Sequence, residues 1–317
     1  MNGSRLRADD RVLTCLPGVS PLPSPLVLGT SGFQDYDVAA AILDAWFDAG
    51  FNALDTAWIY GIHRGELAAE VVVGRWIHAR GVAADVVVFG KASHPPECRP
   101  DRLAAEAMES LDRLGLERMH MLAAHRDDVS IAVDEWADAL VGLVDGGIAS
   151  TYGVSNWAIE RLAALYEYVD LHQLPRPAGV SNQLSLAEMV TPIYEGCVSV
   201  RSQDQRHWLA ETGTLLMPWA SQGRGVFTMN EAELASGWLA RSWYSAANVE
   251  RVSRATEIAR AHGVEPINVA LAWVLRQPFP CLPVIGPQSP AEVASSIVAL
   301  DIHLSPKEME WLDSGDR

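Results

Sequence analysis

The stretch Gly50-Phe-Asn-Ala-Leu-Asp55-Thr-Ala-Trp-Ile-Tyr60-Gly61 reads as a short buried strand that closes on an acid, followed five residues later by a tyrosine and a glycine. Parallel barrels and open parallel sheets keep their chemistry at the carboxyl ends of the strands, and Asp55 falls at such an end. Alone, Asp55 fits a helix cap and Tyr60 a loop-packing residue equally well. The pattern on either side decides.

Upstream, 26–30 is a first strand, preceded by a proline-rich lead over 1–25 (Pro17, Pro21, Pro23, Pro25) that is expected to be irregular. A helix capped by Asp37 runs to Ala49 with Ile42, Leu43, Trp46 and Phe47 at helical spacing, and delivers the chain to the quoted stretch. Downstream, 66–79 is helical, with Leu67, Val71 and Gly74 on one face and Gly81 as its stop. Residues 85–91 form an almost wholly apolar strand, as expected of a parallel strand covered on both faces, and end on Lys91. A helix over 101–114 leads to a fourth strand, 118–125, that ends on His125. Further strands are predicted at 150–154, 178–183, 214–219 and 281–286, with helices between and after them. From 221 to 247 the chain lacks a regular pattern and carries Trp238, Trp243 and Tyr244, as functional lids and binding loops do.

Eight strands, each followed by helix and without a break in composition, predict an α/β fold: a (β/α)8 TIM barrel forming a single domain over 1–317, with long active-site loops. The competing reading is a doubly wound sheet that binds a dinucleotide on a glycine fingerprint. No G-x-G-x-x-G follows any predicted strand.

Composition narrows the function. Of the 317 residues 49% are hydrophobic, enough for a sizeable core, and 24 basic against 40 acidic residues give a net charge of −16. That charge repels nucleic acid and anionic membrane. No apolar run is long enough to cross a bilayer and the start carries no signal core, so a cytoplasmic location is expected. Cys15, Cys98, Cys197 and Cys281 are scattered and form no framework. No metal is expected, because the histidines show neither HxH nor HExxH spacing.

In a barrel, Asp55, Lys91 and His125 close strands two, three and four and become neighbours at one mouth, with Tyr60 just beyond. The set makes chemical sense. An ammonium beside a phenol is expected to lower the tyrosine pKa, the aspartate keeps the lysine charged, and the histidine can bond a substrate oxygen. Such a group could protonate a carbonyl oxygen as hydride arrives at its carbon.

These residues, together with Gly90-Lys91, Gly153-Val-Ser-Asn156, Gln183 and 218–225 (Pro-Trp-Ala-Ser-Gln-Gly-Arg-Gly), resemble the aldo-keto reductase superfamily over nearly the whole chain. The resemblance implies a catalytic tetrad of Asp55, Tyr60, Lys91 and His125. It also implies that Ser155, Asn156 and Gln183 hold a nicotinamide carboxamide and that Trp219 stacks on the ring. Ser221, Gln222, Gly223, Arg224 and Gly225 would then meet the pyrophosphate. At the adenosine end, Gly286, Gln288 and Ser289 stand where the family supplies a basic residue for the 2′-phosphate. NADP(H) is expected ahead of NAD(H), with Gln288 bringing no charge to reinforce that preference. His120, where the family often has aspartate, is read as a structural histidine.

The function implied is an NAD(P)(H)-dependent oxidoreductase acting on a small carbonyl or alcohol compound (aldehyde, ketone or sugar-like), with Tyr60 as general acid and base. Trp58, His94 and Trp157 are candidate substrate contacts. Two other readings use the same fold: a cofactor-binding sensor or regulatory subunit without turnover, and a redox-neutral epimerase working through a keto intermediate.

Overall fold

The computed structural model of the chain describes residues 8–316. Eight short parallel strands form one sheet: β1 (Val27–Gly29), β2 (Ala53–Asp55), β3 (Val87–Ala92), β4 (Met119–Ala124), β5 (Ala149–Ser155), β6 (Gly179–Ser181), β7 (Leu215–Leu216) and β8 (Val284–Ile285). Their spatial order is β7-β6-β5-β4-β3-β2-β1-β8, so each crossover moves the chain by one strand. The ring closes between β7 and the approach to β8. There Leu216 N–H donates to Pro280 O at 2.9 Å, Leu282 N–H to Leu216 O at 2.9 Å and Val284 N–H to Pro218 O at 3.0 Å. The fold is the (β/α)8 barrel that the alternation predicts.

An outer layer of helices covers the sheet, chiefly α2 (Tyr36–Asp48), α3 (Ala69–Arg80), α4 (Leu103–Leu114), α5 (Val133–Asp145), α6 (Ile159–Leu171), α7 (Gln203–Thr212), α10 (Ala246–His262), α11 (Pro266–Leu275), α12 (Pro290–Val298) and α13 (Pro306–Ser314). The helices and the outward residues of the strands, among them Leu28, Leu54, Val88 and Leu122, form the larger buried cluster. A second cluster fills the barrel itself with Val27, Ala53, Val87, Phe89, Met121, Leu215, Met217 and Val284. Strand side chains alternate between the two faces. Asp55 therefore shares the inward face with Ala53, Lys91 with Val87 and Phe89, and His125 with Met121, one or two positions above the apolar filling.

The structure corrects the expected outline at four places. The lead is not irregular throughout: α1 (Asp10–Thr14) is capped by Asp9 and, with Leu16 and Val19, sends Val12 into the barrel cluster, closing the amino-terminal end of the barrel. The first seven residues of that lead lie outside the described residues. Helix α2 is capped by Asp35, which accepts from the Asp37 and Val38 N–H groups, and not by Asp37. Helix α3 begins at Ala69 and not at 66, so Leu67 lies before it and is exposed, as is Val71, while Ala69, Val72, Val73, Trp76 and Ile77 form the buried face. Gly74 sits on that face because a Cβ there would lie 2.1 Å from Arg113 O, so α3 and α4 meet at backbone contact. Finally, 221–247 contains two further short helices, α8 (Glu231–Ser236) and α9 (Ala240–Trp243), and Trp243 is fully buried while Trp238 is exposed. His120 takes the structural part expected of it, with Nδ1 accepting from Val88 N–H at 3.0 Å and Nε2 facing Ser20 O at 3.1 Å.

Candidate active site

At the carboxyl end of the barrel, Lys91 is buried and tied on three sides. Its Nζ donates to Asp55 Oδ1 at 2.6 Å, to Thr56 O at 2.8 Å and to Tyr60 Oη at 3.4 Å. His125 completes the group, its ring centroid 5.8 Å from that of Tyr60 and nearly perpendicular to it. The register that brings these groups together pairs Asp55 with Phe89 and Lys91 with Ala123. Tyr60 is placed by a tight loop: Gly61 has φ 88°, and Tyr60 O accepts from Ala69 N–H at 3.0 Å as α3 begins.

Burial sets the charges. It would push the Lys91 ammonium down, but the adjoining Asp55 and Tyr60 oxygens outweigh it and hold the lysine above its ordinary range. For Tyr60 the balance runs the other way: burial pushes the phenol up and Lys91 only partly offsets it. This reverses the lowering expected from the lysine alone, and keeps the phenol protonated at neutral pH. Burial, helped by Arg126 and Lys91, holds His125 well below the ordinary histidine range, so the imidazole is neutral. Its Nδ1 is enclosed without a partner, which leaves Nε2 as the nitrogen available to a ligand.

Behind the tyrosine loop lies a buried carboxyl that the sequence pattern did not single out. Glu70 is fully enclosed, with Oε2 accepting from Arg113 Nη1 at 3.3 Å, and the same Nη1 donates to Trp58 O at 3.0 Å. Burial, opposed by Ser110 and Arg113, pushes Glu70 from 4.5 up to about 7. A carboxyl raised on folding holds its proton more tightly in the folded state, so its contribution is present below its unfolded pKa and is lost as pH rises through about 7. Between about pH 5 and about pH 8 the protein should therefore lose up to about 3 kcal/mol through this group. Glu70→Gln should flatten that part of a denaturant-melt series, and an unchanged slope would refute the assignment.

The cofactor-type residues line the neighbouring strand ends. Ser155 Oγ donates to Ser181 O at 3.0 Å, and Asn156, at φ 59°, donates from Nδ2 to Ser155 Oγ at 2.9 Å and accepts from Val198 N–H at 3.1 Å. Gln183 is buried and bridges by its backbone to both Ser199 and Trp219. Ser181 Oγ and Trp219 Nε1 are enclosed without partners. In the loop after β7, Gly223, Arg224 and Gly225 are all left-handed, at φ 61°, 53° and 86°. Arg224 places its guanidinium 5.7 Å from the Trp238 ring. Ser221 Oγ instead donates to Val284 O at 2.7 Å and is fully buried, and Gln222 Nε2 donates to Ser296 Oγ at 3.1 Å. These two stitch the loop to β8 and α12. Around Gly286 a Cβ would meet open space, while Gln288 folds its amide onto Gly286 O at 3.1 Å and Ser289 caps α12.

Residues 25–317 match the Aldo/keto reductase family. The chain belongs to that family. Among its relatives, norsolorinic acid reductase of Emericella nidulans is 28% identical across 94% of this chain and 79% of its own length. The 6-dehydroglucose reductase of Novosphingobium aromaticivorans is 27% identical across 83% of this chain and 81% of its own length. An aldo-keto reductase structure from Klebsiella pneumoniae in complex with NADPH superposes with a TM-score of 0.70, at 24% identity and covering 92% of this chain and 90% of that one.

In this aldo/keto reductase the three suggested substrate contacts part company. His94 joins the site, its ring 4.8 Å from that of His125. Trp157 does not: it is fully buried against Trp136 and clamped at both backbone groups by the Asn182 amide, because the residue after Asn156 turns into the helical layer. Trp58 is turned onto α4, where its indole donates to Glu109 at 2.7 Å, so its ring too leaves the mouth. Thr56, Asn182 and Arg126 are polar site neighbours that motif reading missed. Arg126 follows His125 directly, and that position was the available signal. Among the described residues no cluster of three or more His, Cys, Asp or Glu side chains could hold a metal, and no helix is long and apolar enough to cross a membrane.

Proposed function

We propose that this aldo/keto reductase transfers hydride between a nicotinamide cofactor, NADP(H) ahead of NAD(H), and a small carbonyl or alcohol substrate. The observation that carries the reading is the buried Asp55–Lys91–Tyr60 chain, at 2.6 and 3.4 Å, beside a neutral His125. The nicotinamide, when bound, supplies or accepts the hydride. Tyr60, protonated at neutral pH, donates its proton to the carbonyl oxygen in reduction, and its phenolate takes one from the alcohol in oxidation. Lys91 steadies the phenolate, Asp55 keeps Lys91 charged and oriented, and His125 donates a hydrogen bond to the substrate oxygen.

The residues present fit the cofactor at its nicotinamide end, where Ser155, Asn156 and Gln183 carry buried amide and hydroxyl groups and the Gln183 backbone bridges to that of Trp219. Gly223 and Gly225 allow backbone approach to a pyrophosphate, and Arg224 offers charge. NADPH in the Klebsiella structure supports the same ligand here. At the far end Gln288 adds no cation, and its N–H is taken by Glu292 at 2.9 Å. Gln288→Arg should therefore tighten NADPH about tenfold over NADH, read as dissociation constants by fluorescence titration; an unchanged ratio would show that the 2′-phosphate lies elsewhere.

The reading is tested by mixing the protein with NADPH and a panel of aldehydes, ketones and sugars and following cofactor absorbance. Substrate-dependent oxidation is the expected result. Tight NADPH binding with no oxidation by any member would overturn turnover and leave a sensor.

A further inference from the structure

Arg126 stands directly after His125 and is only 7% exposed. A guanidinium does not give up its charge, and its burial is costly unless a counter-charge or a full set of acceptors meets it. Here neither does. Nη1 donates to the His125 carbonyl at 2.9 Å and Nη2 to the Cys197 sulfur at 3.7 Å. Burial pushes the Cys197 thiol up, so it is a neutral partner and no thiolate. Among the described residues Arg126 forms no ion pair, although two acids follow it in sequence. Asp127 is taken by Arg161, at 2.9 and 3.0 Å, and Asp128 accepts from the Ser130 backbone and hydroxyl at 2.9 and 2.6 Å. Asp55, the acid of the site itself, is held by Lys91.

The uncompensated charge acts on the site. Arg126 adds to the forces that keep His125 and His94 neutral, and it draws Tyr60 toward its ionised form. A cation that burdens the very histidine of the site, with neighbouring acids turned away, is placed for an anion that arrives with the substrate. We propose that the substrate is a carbonyl compound carrying a carboxylate, and that Arg126 receives this carboxylate while the carbonyl oxygen lies between Tyr60 and His125. The proposal rests on the oxidoreductase reading above and adds the substrate's charge to it. Planar two-point pairing with a carboxylate is what a guanidinium offers and an ammonium does not. In a chain of net charge −16 it also gives the mouth a local attraction for anions.

The test compares matched pairs with NADPH as reductant: 4-carboxybenzaldehyde against its methyl ester, and succinic semialdehyde against its methyl ester. The wild-type protein should favour the acid in at least one pair by about tenfold or more in kcat/KM. Arg126→Gln should erase that preference mainly through KM, with a loss on the ester at least several-fold smaller, and Arg126→Lys should restore part of it. NADPH affinity, measured separately, should not follow the preference. Equal handling of acid and ester by the wild type, or equal losses on both in Arg126→Gln, would overturn the proposal. If NADPH binds but no aldehyde is reduced, the oxidoreductase reading fails by itself. The anion site is then judged by calorimetric titration of benzoate and succinate into the NADPH-loaded protein. Binding that Arg126→Gln abolishes supports the site, and no binding to the wild type refutes it.

Discussion

Tyr60→Phe should reduce the rate of NADPH-dependent carbonyl reduction by about a thousandfold while leaving NADPH affinity and the melting temperature near their wild-type values. The change removes one oxygen. That oxygen is the proton donor of the proposed reaction and lies 3.4 Å from Lys91 Nζ, the longest of the three contacts that hold the lysine. Asp55 and Thr56 O retain Lys91 at 2.6 and 2.8 Å, so the buried ion pair survives. A loss of that size corresponds to about 4 kcal/mol of transition-state stabilisation. Single-turnover measurements at saturating NADPH separate it from a binding defect, and full activity in the variant would remove Tyr60 from the mechanism.

Gly61→Ala should be the most damaging small substitution in the same loop. Gly61 has φ 88°, and a Cβ there would lie 2.2 Å from the Leu67 carbonyl oxygen, which is backbone and cannot swing aside. Left-handed strain and overpacking together should cost about 2–4 kcal/mol, read in a chemical-denaturation curve. Because the loop must move to relieve the contact, and Tyr60 immediately precedes it, activity should fall by about a hundredfold as well. Stability and activity near wild type would mean that the loop is less constrained than its packing implies.

The second, third and fourth strands were legible as short apolar runs, and Asp55, Lys91 and His125 stood out as polar endings to them. Period-two alternation then fixes their inward direction once the barrel is given. The pKa of Tyr60 was not legible. A nearby lysine can be inferred from strand order, but the enclosure that outweighs it is a property of packing. Trp157 failed for a related reason: an aromatic after a turn asparagine has the same one-letter appearance whether it faces a ligand or the helical layer. Helix α1 was hidden by the surrounding prolines, which mask the Asp9 cap and the apolar residues that fill the barrel floor. Glu70 carries no spacing signal at all, and Arg126 only its place directly after His125. Glu70 stands out by its enclosure and Arg126 by the counter-charge it lacks, and only the folded chain shows either.

The closure between β7 and β8 has a consequence for the life of the folded protein. Both strands are two residues long, and they are joined by a few main-chain bonds and the Ser221 stitch to Val284 O. A closed barrel offers no free strand edge to another molecule. Parting at this join would create two edges at once, making it the place where self-association through strand addition begins. The loop proposed to grip the pyrophosphate is anchored across the same join. A ligand held there would act as a clasp, so that bound cofactor should also slow association through parted strand edges.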